Sequence, residues 1–177
     1  MKHMKNIVLI GFMGTGKTSC GRTLATRLGC GLVDLDKYIE AKEGRSIPEI
    51  FAAEGEPYFR AKEREAVREV VQRKFAVIAT GGGTVKDEEN LRMLKERGVL
   101  VCLTADVDTI LQRTERRGER PMLDRSEDRR KAVEELLESR REIYAGADFT
   151  VDTSRRSPMQ VADEIVDFLR VGGFIRA

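Results

Sequence analysis

The stretch NIVLIGFMGTGKT, residues 6–18, joins an apolar run to a loop that holds three glycines, a lysine and two threonines. The branched apolar residues at positions 7–10 are typical of a buried β-strand. The residues that follow match the pattern G-x-x-x-x-G-K-[ST] from Gly11 to Thr18. Glycines let consecutive backbone N–H groups turn inward and bind an anion, and a helix that begins there adds the positive end of its dipole. The stretch therefore predicts a strand, a phosphate-binding loop and a helix, in that order.

Two side chains at the end of this loop indicate which phosphate compound it binds. The ammonium group of Lys17 can reach the β and γ phosphates of a nucleoside triphosphate, and the hydroxyl of Thr18 can ligate Mg²⁺. The alternative is a glycine-rich turn without a ligand, but the complete pattern between a strand and a helix favours phosphate binding. The loop predicts a nucleoside triphosphate with magnesium and leaves the phosphoryl acceptor open.

Bulk composition predicts a single globular domain, residues 1–177, of cytoplasmic type. The net charge of +2 provides no general attraction for nucleic acid or for a membrane, and no apolar run approaches the roughly 20 residues of a membrane-spanning helix. The cysteines Cys20, Cys30 and Cys102 lack the spacing of a zinc site or a disulfide framework, which favours free thiols in a reducing cytoplasm. The only histidine is His3, near the N-terminus, which argues against a histidine base.

Apolar runs alternate with stretches of helical periodicity along the chain. Five runs predict strands: NIVLI, GLVDLD, FAVIAT, VLVCLT and DFTVDT. Between them, apolar residues at spacings of three and four predict helices, with Gly29 and Gly98 as helix ends and Ser46 and Asp87 as N-caps. Buried strands that alternate with helices predict a parallel sheet that is covered on both faces.

Two aspartates lie in the segment VDLD. Asp34 and Asp36 are two residues apart, so on a strand they would point to the same face at the carboxyl end of the sheet, where α/β proteins bind ligands. Two adjacent carboxylates repel each other unless a cation or a proton donor lies between them. We therefore expect Asp34 near magnesium and Asp36 at the hydroxyl of the acceptor. The alternative is that Asp36 caps the helix that follows it.

Two arginines lie on predicted apolar helix faces. Arg60 is seven residues before Val67, and Arg140 is three residues after Leu137. A guanidinium that faces the core costs several kcal/mol unless an anion meets it. Pairing with glutamates or aspartates of the chain is one solution, and binding of a substrate carboxylate by both arginines is the other.

The segments ATGGGTV and ERRGERPMLDR complete the candidate site. Gly81, Gly82 and Gly83 end the third predicted strand, where they form either a tight turn or a place where a ligand touches the backbone. ERRGERPMLDR lies between two predicted helices, which indicates either a solvated loop or a basic lid over a nucleotide. This segment holds no aromatic residue for base stacking, which argues against RNA binding.

Together these stretches resemble the shikimate kinase family, a group of P-loop kinases related to nucleoside monophosphate kinases. The resemblance spans about residues 6–169 and is carried by GFMGTGKT, DLD, GRSIPEIFAAEGEPYFRAKE, GGG, RP, SRREIY and DTSRRSP. The phosphate-binding loop is common to many unrelated enzymes. The combination of DxD, GExxFRxxE and GGG at these spacings is far more particular.

The resemblance implies a three-layer α/β P-loop kinase fold with a five-stranded parallel sheet in the order 2-3-1-4-5. It implies a shikimate-binding helical segment at about residues 36–63 and a mobile lid at about residues 115–127. The implied activity transfers the γ-phosphoryl group of ATP to the 3-hydroxyl of shikimate, a reaction of aromatic amino acid biosynthesis, with Mg²⁺ as cofactor. We expect a monomer whose partners are these two small molecules.

The resemblance also implies the site residues by position. The implied catalytic residues are Lys17, Asp36 and Arg120. The implied shikimate-binding residues are Asp36, Arg60, Gly81, Gly82, Gly83 and Arg140, and the implied Mg²⁺ ligands are Thr18 and Asp34. The implied ATP-binding residues are Gly14, Thr15, Gly16, Lys17, Thr18, Ser19, Arg113, Arg120, Arg156 and Pro158, although the segment around the last two is on its own typical of a plain turn.

Two other functions remain open on the residues alone. A gluconate-type or nucleotide kinase would use the same scaffold with another acceptor. A nucleotide-dependent RNA-binding switch would use the basic segment and the phosphate loop, but the charge balance supplies no extended face for phosphates. The paired aspartates, the inward arginines and the glycine loop together favour a small hydroxylated acid as the acceptor.

Overall fold

The structure is a computed structural model that describes residues 4–115 and 129–176. Strands and helices alternate along most of this chain, as the apolar periodicity predicts. The strands are β1 (Asn6–Ile10), β2 (Gly31–Asp34), β3 (Ala76–Ala79), β4 (Gly98–Thr104) and β5 (Phe149–Asp152). The helices are α1 (Lys17–Leu28), α2 (Leu35–Glu43), α3 (Ile47–Glu54), α4 (Glu56–Val70), α5 (Glu88–Arg97), α6 (Val107–Thr114), α7 (Arg129–Ala145) and α8 (Pro158–Val171), with a 3₁₀ turn at Thr84–Lys86.

The five strands form one sheet in the order β2-β3-β1-β4-β5, and each neighbouring pair is parallel. This order confirms the predicted one. β1 lies at the centre, where Leu9 is in register with Ala79 of β3 and with Val101 of β4. All five residues of β1 are buried, which explains the unbroken apolar run at positions 7–10.

Helices cover both faces of the sheet and form two cores. Because successive residues of a strand point to opposite faces, Ile7 and Leu9 pack into the core that contains Leu24 of α1 and Ile165 of α8. The neighbouring residues of β1 enter the other core, which is formed with α2 to α7. The chain thus has the predicted three-layer architecture, and the carboxyl ends of its strands lie along one edge.

Side-chain caps define several helix ends. Ser46 caps α3 and Asp87 caps α5 by accepting hydrogen bonds from backbone N–H groups, as predicted. Gly29 ends α1 in the left-handed conformation, with a φ of 64°, which also agrees with the prediction. Among residues 4–115 and 129–176, no helix has the length and apolar character that a membrane crossing requires.

The expectation that Asp34 and Asp36 share a strand face is wrong. β2 ends at Asp34, whose carboxylate accepts a hydrogen bond from the backbone N–H of Lys37 and so caps α2. Asp36 lies in the first turn of that helix and is not its cap. The physical reason is the strong preference of aspartate for the N-cap position, which ends the strand two residues earlier than the apolar pattern suggests.

Candidate active site

A cleft of about 890 Å³ lies at the carboxyl edge of the sheet. The loops that follow β1, β3 and β5 line it, together with the first turn of α2 and the start of α3. A second depression of about 540 Å³ lies against β4, β5 and α7; its lining is mostly apolar and includes no residue of the phosphate-binding loop. The charged cleft is therefore the candidate active site.

The phosphate-binding loop requires glycine at two of its positions for different reasons. Gly11 has a φ of 143°, and a Cβ placed there would lie 2.3 Å from the carbonyl oxygen of Leu103. Gly16 has a φ of 91° and stands at the N-cap of α1, where a side chain would strain the backbone. The cleft face of this loop is formed by Gly14, Thr15, Gly16, Lys17, Thr18 and Ser19, the predicted ATP-binding stretch.

Lys17 is held inside this loop. Its side-chain Nζ donates hydrogen bonds to the carbonyl oxygens of Gly11 at 2.6 Å and Phe12 at 2.9 Å, and the residue is only 8% exposed. These contacts fix the ammonium group within the loop that precedes α1. The loop therefore gathers positive charge where a polyphosphate would lie.

Two oxygen ligands suitable for magnesium meet at the edge of the loop. The hydroxyl of Thr18 donates a hydrogen bond of 3.0 Å to Oδ2 of Asp34. Mg²⁺ prefers hard oxygen ligands, keeps several waters and is commonly held by one or two protein groups together with substrate phosphates. The predicted pair thus fits a magnesium ion that is shared with a nucleotide.

One end of the cleft is formed by three residues that the resemblance assigns to ATP binding. Arg113, Arg156 and Pro158 all line it. Arg113 donates from Nη1 to the carbonyl oxygen of Gly14, at 3.1 Å, and so joins α6 to the phosphate loop. Arg156 is turned toward its own segment, where it pairs with Glu164 at 2.5 Å.

The other end of the cleft is formed by the glycine loop, residues 81–83. A Cβ placed at Gly81 would lie 2.7 Å from Oδ1 of Asp36, and one placed at Gly83 would lie 2.9 Å from Nη2 of Arg60. The missing side chains therefore let Asp36 and Arg60 approach the backbone of the loop closely. This explains three consecutive glycines better than a simple turn does.

Arg60 is paired with acids of its own helix. Its Nη1 lies 2.9 Å from Oε1 of Glu63 and its Nε lies 3.3 Å from Oε1 of Glu56. Glu63 is 1% exposed, and its second oxygen accepts a hydrogen bond of 2.9 Å from the hydroxyl of Thr84. That hydroxyl also accepts a hydrogen bond from the backbone N–H of Gly81. Glu63 therefore links Arg60 to the glycine loop as well as offsetting its charge.

Arg140 is buried without an acidic partner among the described residues. Its side chain donates from Nη1 to the carbonyl oxygen of Gly82 at 2.8 Å and lies over the ring of Phe12, 5.2 Å from the ring centre. Tyr144, one turn later, donates to the same carbonyl at 3.1 Å. The Nε of Arg140 is buried and has no hydrogen-bond partner among the described residues. A buried guanidinium donor without a partner costs free energy, which an anion that reached it would offset.

The structure brings most of the predicted acceptor residues to one loop. Asp36, Arg60 and Arg140 all contact the glycine loop; Asp36, Gly81 and Gly82 line the cleft, and the two arginines border it through their contacts with Gly83 and Gly82. Arg120 and the lid segment, except for Glu115, lie outside the described residues.

Sequence reasoning missed three supporting residues of the site. Glu63 follows Arg60 by three residues, a spacing that indicates a helical ion pair. The contacts of Phe12 with Arg140 and of Thr84 with Glu63 carry no such signal, because they join distant parts of the chain.

Replacing Arg60 with alanine should make stability depend more strongly on pH. Burial raises the pKa of Glu63 above its ordinary value of 4.5, although Arg60 and the hydroxyl of Thr84 act in the opposite direction. A carboxyl group with a raised folded pKa binds its proton more tightly in the folded state, so stability falls as pH rises through the window above 4.5. Without Arg60 this fall becomes larger, since the buried carboxylate loses its cation. We expect Arg60→Ala to lose about 3 kcal/mol at pH 8 and clearly less at pH 5.

Urea unfolding of wild type and Arg60→Ala at the two pH values measures this difference. The double variant Arg60→Ala with Glu63→Gln is the control, because its uncharged amide should remove the pH dependence of the deficit. An equal deficit for Arg60→Ala at pH 5 and pH 8 would show that Glu63 is not the group responsible.

Comparison with known proteins agrees with this geometry. The family model for shikimate kinase matches residues 13–170. The shikimate kinase of Pelotomaculum thermopropionicum is 45% identical over 172 residues, which cover 97% of this chain and 99% of the relative. The shikimate kinase of Persephonella marina is 41% identical over 167 residues, which cover 94% of this chain and 100% of the relative.

Among solved structures, the chain is similar to shikimate kinase from Acinetobacter baumannii in complex with shikimate. The two share 39% identity with a TM-score of 0.92, and the match covers 96% of this chain and 94% of the other. Both the sequence relatives and this structure extend over nearly the whole chain, including both ends of the cleft. From the fold, the site and these likenesses together, the chain belongs to the shikimate kinase family.

Proposed function

We propose that this protein transfers the γ-phosphoryl group of ATP to the 3-hydroxyl of shikimate and forms shikimate 3-phosphate and ADP. Membership of the shikimate kinase family supports the reaction. The relative from Acinetobacter baumannii, which was solved with shikimate, supports the acceptor. In this chain the observation that carries the proposal is the guanidinium of Arg140, which is buried beside the glycine loop. Its Nε has no hydrogen-bond partner among the described residues.

The phosphate-binding loop holds the triphosphate. Its backbone N–H groups and the start of α1 bind the phosphate oxygens, and Lys17 stabilises the charge on the transferred group. The phosphate-binding loop also contacts the glycine loop at the acceptor end. A Cβ at Gly82 would lie 3.3 Å from the backbone nitrogen of Met13, so the two loops are in direct contact. Donor and acceptor therefore meet at this junction.

Magnesium belongs to the proposed reaction as a cofactor. Thr18 and Asp34 would hold it, Thr18 with its hydroxyl and Asp34 directly or through water. When bound, the ion offsets negative charge on the phosphate oxygens.

The acceptor is held by its carboxylate and positioned by its hydroxyl. Arg140 and Arg60 bind the carboxylate, and the carboxylate of Asp36 accepts a hydrogen bond from the hydroxyl that is phosphorylated. A new bond forms between that hydroxyl oxygen and the γ phosphorus. The bond between the γ phosphorus and the β–γ bridging oxygen breaks, and this oxygen leaves as part of ADP. The hydroxyl proton departs on the side of Asp36.

A coupled assay of ADP release tests the proposal. The pure protein with magnesium and ATP should turn over when shikimate is added and should not turn over with gluconate or a nucleoside monophosphate. Turnover with one of these acceptors but not with shikimate would overturn the assignment of shikimate as the acceptor, while the assignment of kinase activity would stand. A monomeric state, a cytoplasmic location and the absence of a nucleic acid partner stay predictions, and sedimentation of the pure protein measures the first.

A further inference from the structure

The hydroxyl of Thr153 lies at the meeting point of three segments. Thr153 directly follows β5 and is 3% exposed. Its Oγ1 lies 2.7 Å from the carbonyl oxygen of Thr15 in the phosphate loop and 3.0 Å from that of Thr104 at the end of β4. The same oxygen accepts a hydrogen bond of 3.0 Å from Nη1 of Arg113 in α6. A hydroxyl has one donor and two acceptor positions, so the side chain of Thr153 can donate to a carbonyl oxygen and accept from Arg113 at the same time.

Arg113 is held by Thr153 through two hydrogen bonds. In addition to the bond from Nη1 to the hydroxyl, Nη2 donates to the backbone carbonyl of Thr153 at 2.9 Å. Nη1 also donates to the carbonyl oxygen of Gly14. The planar guanidinium is thus oriented by two segments at once, and it lines the end of the cleft that is assigned to the nucleotide.

We propose that Thr153 is a positioning residue that sets the affinity for the nucleotide by orienting Arg113 against the phosphate loop. This inference rests on the proposed function, because it takes the nucleotide to lie at this end of the cleft. Thr153 acts through Arg113, and its hydrogen bond to the carbonyl of Thr15 holds its own hydroxyl in place. The acceptor end lies beyond the phosphate loop and shares none of these contacts, so Thr153 should affect the two substrates unequally.

The matched pair Thr153→Val and Thr153→Ser separates the hydroxyl from the shape of the side chain. Valine keeps the volume and removes the hydroxyl, whereas serine keeps the hydroxyl. A hydrogen bond to a charged group contributes enough that its loss should weaken binding about tenfold. We expect Thr153→Val to raise the Kd of Mg·ADP by about tenfold and Thr153→Ser to stay within about threefold of wild type.

Titration calorimetry with Mg·ADP and no acceptor measures this effect, so it does not depend on which acceptor the enzyme uses. Turnover of the wild type with shikimate tests the proposed function separately. Steady-state kinetics should then show a raised KM for ATP with the KM for shikimate nearly unchanged. Thr150→Val, on the exposed side of β5, is the control and should bind Mg·ADP like wild type.

A double-variant cycle with Arg113→Met identifies the route. If Thr153 acts through Arg113, Thr153→Val should change the Kd of Mg·ADP by less than about threefold when Arg113 is already replaced. A full tenfold change in that background, or equal changes in both KM values, would overturn the proposal. If Thr153→Val does not fold, the smaller Thr153→Ala replaces it in the same cycle.

Discussion

Replacing Lys17 with methionine is expected to lower kcat about a thousandfold, because a fixed cation on the transferred phosphoryl group contributes on this scale to phosphoryl transfer. The side chain is buried in the phosphate loop, where the carbonyl oxygens of Gly11 and Phe12 hold its Nζ. Methionine fills nearly the same volume but provides no charge and no donor. The loop should keep its shape while the transition state loses its nearest positive charge.

Single-turnover and steady-state rates with ATP and shikimate measure the loss. Lys74→Ala is the control, since Lys74 is exposed and lies two residues before β3, at the opposite end of the strands from the cleft. Thermal unfolding of Lys17→Met close to that of wild type shows that the fold is retained. A kcat within tenfold of wild type would show that the ammonium group does not stabilise the transferred phosphoryl group.

Replacing Asp36 with asparagine is expected to lower kcat about a hundredfold or more, because the amide can neither take a proton nor carry the charge that orients the hydroxyl. The residue lies in the first turn of α2, and its Oδ1 is so close to Gly81 that a Cβ there would lie only 2.7 Å away. Asparagine is nearly the same size, so the glycine loop should remain in place. The KM for ATP should change little, since Asp36 lies at the acceptor end.

Kinetics with each substrate varied in turn measure this separation. Asp167→Asn, an exposed change on α8, is the control for loss of one negative charge. Equal increases in the KM values of ATP and shikimate, with kcat preserved, would show that Asp36 does not act on the acceptor hydroxyl.

The strands, the layers and most helix ends could be predicted because they depend on near neighbours and on common rules, whereas the strand order was implied only by the resemblance to the shikimate kinase family. The apolar runs predict the strands, while Ser46 and Asp87 cap the helices that their sequence context indicates. The prediction for VDLD was wrong because two local preferences compete there. The apolar alternation favours a longer strand, whereas the carboxylate of Asp34 stabilises the first turn of α2 and ends the strand.

The residues of the candidate site that would act on the substrates could be predicted from the sequence. The residues that support them could be predicted less well. Arg60 and Arg140 look alike in the sequence, as two arginines on apolar helix faces. The structure separates them: Arg60 is paired with Glu63 and Glu56, while Arg140 contacts a carbonyl and an aromatic ring and has no acidic partner among the described residues. The sequence left two possibilities open for both arginines, pairing with acids of the chain and binding of a substrate carboxylate. Pairing with acids of the chain applies to Arg60 and, among the described residues, not to Arg140.

The amino-acid sequence was sufficient for the phosphate loop, because its glycines, Lys17 and Thr18 act within a single turn of chain whose chemistry is local. The contacts that orient this chemistry depend on the folded sheet. Thr153 reaches Arg113 across 40 residues and Thr15 across 138, and Arg140 reaches Gly82 across 58. Such pairs are set by the order in which parallel strands lie side by side, which brings the loops at their carboxyl ends together however far apart they are along the chain.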